Sequence, residues 1–150
     1  NGGGTVKLII LNSDYNIASN VLLENVQEAI CPNLTDEGTG LAPIGHKVTV
    51  VTPEETEINV NTKITLSSGS VLETVQARIR TALDNYLLEL RKSWEDNNSL
   101  IVRISQIEST ILNVEGVLDV STTTINGQVS NLEITQEYLP ILGNVEVREQ

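Results

Sequence analysis

The clearest pattern of hydrophobic and polar positions is the alternation in EINVNTKITL, residues 57–66. Apolar side chains occupy every second position and polar side chains fill the positions between them. Because successive side chains of a strand point to opposite faces, this pattern predicts a strand in a sheet with one buried and one solvated face. Only Thr62 places a polar group on the apolar side. The apolar positions are Ile58, Val60, Ile64 and Leu66.

Apolar residues at helical spacing predict three helices. The first covers residues 19–30, because Pro32 cannot continue it. The second, over residues 70–92, is the longest, and the third covers residues 105–113. Ser70 and Glu73 have the spacing of a capping box, so we expect the Ser70 side chain to cap the second helix.

The remaining elements are predicted to be strands and turns. Asn126-Gly127 lies between two β-rich runs, which is the strongest short signal for a hairpin. YLPILG, residues 138–143, is interpreted as a turn before a last strand. The further predicted strands are residues 5–11, 46–52, 100–104, 117–125, 128–134 and 144–149.

The order of these elements predicts an α+β fold. We expect a mostly antiparallel sheet with helices packed on one face, arranged as two βαββ-like halves. The polar segment WEDNNS suggests a division into a β-α-β-β-α subdomain, residues 1–94, and a smaller α-β-β-β subdomain, residues 95–150. The two subdomains could also form one continuous unit.

Composition narrows the classes of partner. The chain has 20 acidic and 9 basic side chains and a formal net charge of −11. This balance argues against a nucleic-acid partner, which requires a basic surface, and against anionic membranes. No apolar run approaches the roughly 20 residues that a membrane span needs. Because the chain contains no methionine, we expect it to be part of a longer polypeptide.

Residues with catalytic or ligating chemistry are few. His46 is the only histidine and Cys31 the only cysteine, which excludes a histidine cluster and disfavours a zinc site. His46 is interpreted as an exposed residue at a strand end, and Cys31 as a semi-buried structural residue. The glycine-containing stretch GTGLAPIG lacks the spacing of a phosphate-binding loop. Acidic pairs are attributed to solvated turns; they are Asp36-Glu37, Glu54-Glu55 and Glu95-Asp96. We therefore predict no catalytic, cofactor-binding or metal-binding residues, and no cofactor.

Other functional classes remain open from the residues alone. The long loop 31–45 and the solvated sheet face could serve a generic protein- or carbohydrate-binding module. The long helix could be a coiled-coil partner, although packing on its own sheet is favoured because its apolar stripe is wide. An enzyme of unrecognised type would have to rely on carboxylates and lysines. A sugar-binding platform needs exposed tryptophan or tyrosine side chains, and the aromatic residues of this chain are not clustered in sequence. They are Tyr15, Tyr86, Trp94 and Tyr138.

Several segments of the chain follow one another in a recognisable order. They are GTVKLIIL, VQEAI, APIGHKVTVVTPEETEINVNTKITL, VQARIRTALDNYLLEL, IVRISQIESTILNVEGVLDV, TINGQVSNLEI and YLPILGNVEV. This succession resembles the C-terminal part of the baseplate J family, the wedge proteins of contractile phage tails and PBSX-type prophage elements. The resemblance covers nearly the whole chain and depends on the order and spacing of the segments, since no single motif in them is specific.

The resemblance implies a structural role without catalysis. The chain would act through protein–protein contacts in the wedge ring, with other wedge and tail proteins and with further copies of itself. It would be made in the bacterial cytoplasm and located in the virion tail baseplate. The N-terminal half of the family would be absent from this chain. Pro43 and Gly45 in APIG would shape the backbone where it enters the sheet, and the isolated chain would be a monomer or a weak dimer.

Overall fold

A computed structural model describes residues 4–35 and 37–150 of the chain. Within them, the chain forms three α-helices, seven strands and one short 3-10 turn, Pro32–Leu34. Contacts divide it into two compact units, one ending at Glu54 and the other running from Glu55 to Gln150. In chain order the elements are β1 (Thr5–Ile9), α1 (Asn20–Ile30), β2 (Lys47–Val51), β3 (Glu54–Leu66), α2 (Leu72–Lys92), β4 (Ser99–Val102), α3 (Ile104–Leu112), β5 (Val117–Ile125), β6 (Leu132–Thr135) and β7 (Tyr138–Glu149).

The first unit is a β-α-β arrangement. β1 and β2 pair in parallel, from Thr5 opposite Lys47 to Ile9 opposite Val51. A helical crossover is the connection that parallel neighbours require, and α1 supplies it by packing on β2. A small core joins the end of α1, the loop and β2; its buried members are Cys31, Ala42 and Val48, with Leu8 and Ile30 packed against them.

The start of α1 follows the prediction. Ser19 is the N-cap, and its side-chain oxygen accepts a hydrogen bond from the Leu22 N–H at 3.3 Å. This bond satisfies one of the N–H groups that a helix start leaves without a partner in the helix. The helix ends at Ile30, just before Pro32.

The predicted capping box at the start of α2 is wrong. Val71 is the N-cap, and the helix start has no side-chain capping bond. Ser70 instead closes a turn, because its N–H donates to the Ser67 carbonyl at 3.0 Å and the two hydroxyl oxygens lie 2.9 Å apart. The positive φ of Gly69, 84°, shapes this turn, so the Ser70 hydroxyl bonds to Ser67 rather than to the helix.

The second unit is built on a three-stranded sheet in the order β5-β3-β7. β3 and β5 are antiparallel, with Val60 opposite Ile125. Hydrogen bonds from β7 to β3 advance in the same direction along both strands: Asn144 N–H donates to the Asn59 side chain, and Gln150 N–H to the Ile64 carbonyl. The α+β class is confirmed. The mostly antiparallel sheet is wrong: the sheets are mixed, because β1 and β2 pair in parallel across the α1 crossover and the hydrogen bonds from β7 to β3 also run in parallel.

The alternation in β3 is confirmed as a strand with one buried face. The Ile58 and Ile64 side chains are completely buried and Val60 is almost so. Two helices cover this sheet, since α2 packs against β7, α3 packs against β5, and the helices contact each other. The stripe that α2 buries consists of Val75, Ile79, Leu83, Leu87 and Arg91.

Thr62 is buried with a polar partner. Its side-chain oxygen lies 2.9 Å from that of Thr123 on β5, and both residues are buried. The register shifts here, from Asn61 opposite Thr124 to Lys63 opposite Ser121, so β5 carries one extra residue. The extra residue produces a β-bulge, and Thr122 within it has φ 51°. The paired hydroxyls satisfy each other inside the core.

The predicted hairpin is wrong beyond its turn. Asn126 and Gly127 both have positive φ, 49° and 77°, and Ile125 bridges to Gln128 as the sequence indicates. After that single bridge the chain leaves β5, because β6 pairs antiparallel with β4 in a separate two-stranded sheet. A local turn signal fixes the turn but not the partner of the following strand.

The segment YLPILG is not a turn but the first half of β7. Pro140 is tolerated within a strand because β7 lies at the edge of its sheet, where a missing N–H breaks no internal ladder. The contact division falls between Glu54 and Glu55, at the start of β3, and the polar segment following Trp94 connects α2 to β4 within the second unit. The division into subdomains 1–94 and 95–150 stays a prediction.

We expect Thr62→Val to destabilise the second unit because it leaves the buried Thr123 hydroxyl without its partner. The cost should be about 1–3 kcal/mol. Urea unfolding followed by the fluorescence of Trp94, the only tryptophan, measures it in the second unit. Thr62→Val combined with Thr123→Val should cost less than the sum of the two single changes. Additive costs would contradict the coupling of the two hydroxyls.

Candidate assembly surfaces

The residues singled out for chemistry lie apart in the fold. His46 is exposed immediately before β2, as predicted. Cys31 is more buried than predicted, with 2% exposure, and its Sγ donates to the Thr35 carbonyl at 3.0 Å. Asp36 lies outside the described residues. Within residues 4–35 and 37–150, no three histidine, cysteine or acidic side chains come together in a way that could hold a metal ion.

The loop between α1 and β2 is held firmly against the end of α1. The Leu41 N–H donates to the Ala29 carbonyl at 3.1 Å, and the Ala42 N–H donates to the Ile30 carbonyl at 2.8 Å. Gly40 lies so close to this helix end that an added Cβ would stand 2.5 Å from the Ile30 carbonyl oxygen. Only glycine fits at that position, so the sequence itself fixes the approach of the loop.

This anchored loop displays two apolar side chains. Leu41 and Ile44 are each 80% exposed. The turn that follows is closed by a hydrogen bond from the His46 N–H to the Pro43 carbonyl at 3.1 Å, and Gly45 adopts φ 83°. The shaping role expected for Pro43 and Gly45 is therefore present. These two exposed apolar side chains make the loop a candidate contact surface.

The outward face of α2 carries small side chains, in contrast to its buried stripe. A shallow groove along this face is lined by Thr74, Ala77, Arg78, Thr81, Ala82 and Asn85. Arg78 forms an exposed ion pair with Glu115 at 3.0 Å. The apolar stripe packs inside the second unit, as the sequence favours, so the large apolar side chains of α2 do not form a coiled-coil seam with a partner.

Asparagine side chains on the solvated face of the three-stranded sheet bond to the protein itself. The Asn126 Oδ1 accepts from the Asn59 N–H at 2.8 Å, and the Asn126 Nδ2 donates to the Glu57 carbonyl at 3.2 Å. Through this side chain the pairing with β3 continues past the end of β5. The Asn59 Oδ1 in turn accepts from the Asn144 N–H at 2.7 Å.

A polar cleft lies at this asparagine-rich face. Among the described residues its lining contains no aromatic side chain; it consists of Asn59, Val60, Asn61, Thr124, Asn126, Gly127, Asn144 and Glu146. Trp94 is buried elsewhere, and the Tyr86 hydroxyl accepts from the Arg103 N–H at 3.3 Å. The stacking platform typical of sugar sites is thus missing from this cleft.

Arg91 is the residue whose role sequence reasoning missed. It lies at the C-terminal end of α2, where a cation is favoured, but it is 6% exposed and donates from Nη1 to the Pro140 carbonyl at 2.9 Å. Burial lowers the pKa of the Arg91 guanidinium, while Asp84 and Glu55 raise it. The sequence did contain a sign of this burial, because Arg91 continues the four-residue interval at which the buried side chains of α2 recur. The bond joins the end of α2 to β7.

Comparisons with known proteins match the two units separately. Residues 58–148 match the family described as "Baseplate J-like protein C-terminal domain", and residues 1–52 match "Baseplate J-like central domain". The phage-like element PBSX protein XkdT of Bacillus subtilis (strain 168) is 32% identical over 150 residues. The uncharacterized protein YqbT of the same strain has the same identity over the same length. The chain spans 41% of the length of each of these two relatives.

A solved structure shares the fold. The cryo-EM structure of the anti-feeding prophage (AFP) baseplate, 6-fold symmetrised, contains a chain that aligns with a TM-score of 0.65 at 12% identity. The alignment covers 95% of this chain and 30% of that chain. In the part of this chain that the structure describes, no helix is both long and apolar enough to cross a membrane.

We expect Asn126→Gly to lower the free energy of unfolding by about 1–2 kcal/mol, because two hydrogen bonds to β3 are lost. Glycine tolerates the positive φ of this position, so the variant separates the side-chain bonds from backbone strain. Asn98→Ala, at an exposed position, serves as the control. Equal stability of the Gly variant and the native chain in urea unfolding would contradict this role.

Proposed function

The chain belongs to the baseplate J-like family, and we propose that it is a structural component of a contractile phage-tail or prophage tail-like baseplate. One observation carries the proposal. The family's central and C-terminal domains match consecutive segments that meet between residues 52 and 58, and the contact division falls between Glu54 and Glu55. The two family matches and the two compact units thus divide the chain at the same place.

We also propose that this role involves no catalysis. The features described above serve the architecture: the asparagine side chains extend strand pairing, Cys31 fills a core and Arg91 ties a helix to a strand. Protein–protein contact is supported by the rigid loop that displays Leu41 and Ile44.

The proposed partners are other wedge and tail proteins of the baseplate, together with further copies of this chain in the ring. The proposed location is the tail baseplate, after synthesis in the bacterial cytoplasm. The net charge of −11 makes free copies repel at low salt, which supports a monomer or weak dimer in isolation. Many weak contacts made together would then hold the ring, since linked contacts raise each other's effective concentration.

A generic protein-binding module is the alternative, and the exposed Leu41 and Ile44 favour it equally. The carbohydrate-binding version has less support because the polar cleft lacks an aromatic lining residue in the described part of the chain. The two functions differ in where the protein resides. A baseplate component copurifies with tail particles, whereas a general binding module does not.

The test is to place an epitope tag after Gln150 in the full-length protein and to induce the prophage or phage that encodes it. We expect antibody label at the end of the sheath in negative-stain images. Deleting the region encoding residues 1–150 should abolish complete contractile tails, and supplying the full-length protein in trans should restore them. Normal tails without this region, or label along the sheath, would contradict the proposal.

A further inference from the structure

One edge of β2 is closed by a side chain rather than by a strand. On the edge of β2 that faces β1, the Lys47 N–H donates to the Gly4 carbonyl at 2.8 Å, and the Val51 carbonyl accepts from the Ile10 N–H at 2.9 Å. Alternate residues of a strand direct their backbone groups to opposite edges, so Val48 and Val50 direct theirs away from β1. Among the described residues, the sheet has no third strand on that side.

Gln27 of α1 occupies this second edge. Its Oε1 accepts from the Val50 N–H at 2.9 Å, and its Nε2 donates to the Val48 carbonyl at 3.0 Å. The second Nε2 hydrogen bonds to the Cys31 carbonyl at 2.8 Å. The carboxamide therefore presents one acceptor and one donor to β2, as a residue of a neighbouring strand would. Its orientation is fixed, because an N–H can only donate and a carbonyl can only accept.

The same arrangement recurs in the second unit in a simpler form. Gln27 lies in VQEAI and Gln76 in VQARI, so both follow a valine and precede an isoleucine by three positions. The Gln76 Nε2 donates to the Val145 carbonyl at 3.1 Å, and β7 is an edge strand of the three-stranded sheet. Two helices thus each extend a glutamine to the backbone of an edge strand.

We propose that Gln27, with Gln76 in a lesser role, closes a sheet edge and so prevents a strand of a second copy from adding to the free chain. An open strand edge presents N–H and carbonyl groups that template pairing with other chains. Charge repulsion weakens with added salt, whereas a side chain bonded to the edge blocks it at any ionic strength. The inference goes beyond the proposed function, because it concerns the free chain before any assembly.

The test replaces the carboxamide without shortening the side chain. Gln27→Met in the 150-residue chain keeps the helix propensity and length but cannot form the three hydrogen bonds. Amide hydrogen exchange at Val50, read by NMR, should accelerate by about tenfold, as expected for a lost hydrogen bond. Sedimentation at micromolar concentration and moderate salt should show dimers or larger species that the native chain lacks. Gln106→Met, at an exposed position of α3, is the matched control and should change neither measurement.

A second variant distinguishes association through an open strand edge from association caused by a general loss of stability. Gln27→Glu keeps an acceptor for the Val50 N–H but loses both donor bonds, to the Val48 and Cys31 carbonyls. It also puts a negative charge on the edge, which discourages strand addition. It should therefore associate less than Gln27→Met. Equal association of the two variants, or a folded Gln27→Met chain that stays monomeric, would overturn the proposal. Rapid exchange of the Val50 amide in the native chain would also overturn it, even if neither variant folds.

Discussion

The second unit depends on β3, the strand that is paired on both edges and covered on one face. β5 and β7 flank it, and α2 and α3 pack over the sheet. Ile58 and Ile64 are completely buried there, and Thr62 is tolerated because its hydroxyl bonds to the Thr123 hydroxyl and to the Ser121 carbonyl of β5. The Asn126 side chain continues the pairing where β5 ends. Most features of residues 55–150 therefore follow from how this one strand satisfies its backbone and its apolar face.

Sequence reasoning succeeded where the signal was local. The alternation of β3 and the stripe of α2 both depend on spacings within one element. It failed where the outcome depends on distant residues. Asn126-Gly127 fixed a turn but could not show that β6 pairs with β4, and Pro140 suggested a turn because its edge position was unknown.

The candidate surfaces divide in the same way. The exposed position of His46 followed from its place at a strand end, and the shaping of the loop by Pro43 and Gly45 was implied by the family resemblance. The burial of Arg91 was not predicted, because a cation at a helix end is ordinarily solvated. Its bond to the Pro140 carbonyl on β7 explains its place. The three hydrogen bonds of Gln27 likewise join residues that no sequence pattern connects.

Native-state hydrogen exchange tests the central role of β3 most directly. The account predicts that the amides of Val60 and Ile64 exchange only through complete unfolding of the second unit, with the free energy that denaturant unfolding gives. Amides in the two-stranded sheet of β4 and β6 should exchange through partial openings that need a smaller free energy. If the Val60 and Ile64 amides exchanged through openings of lower free energy than those of the β4 and β6 amides, the account would be contradicted.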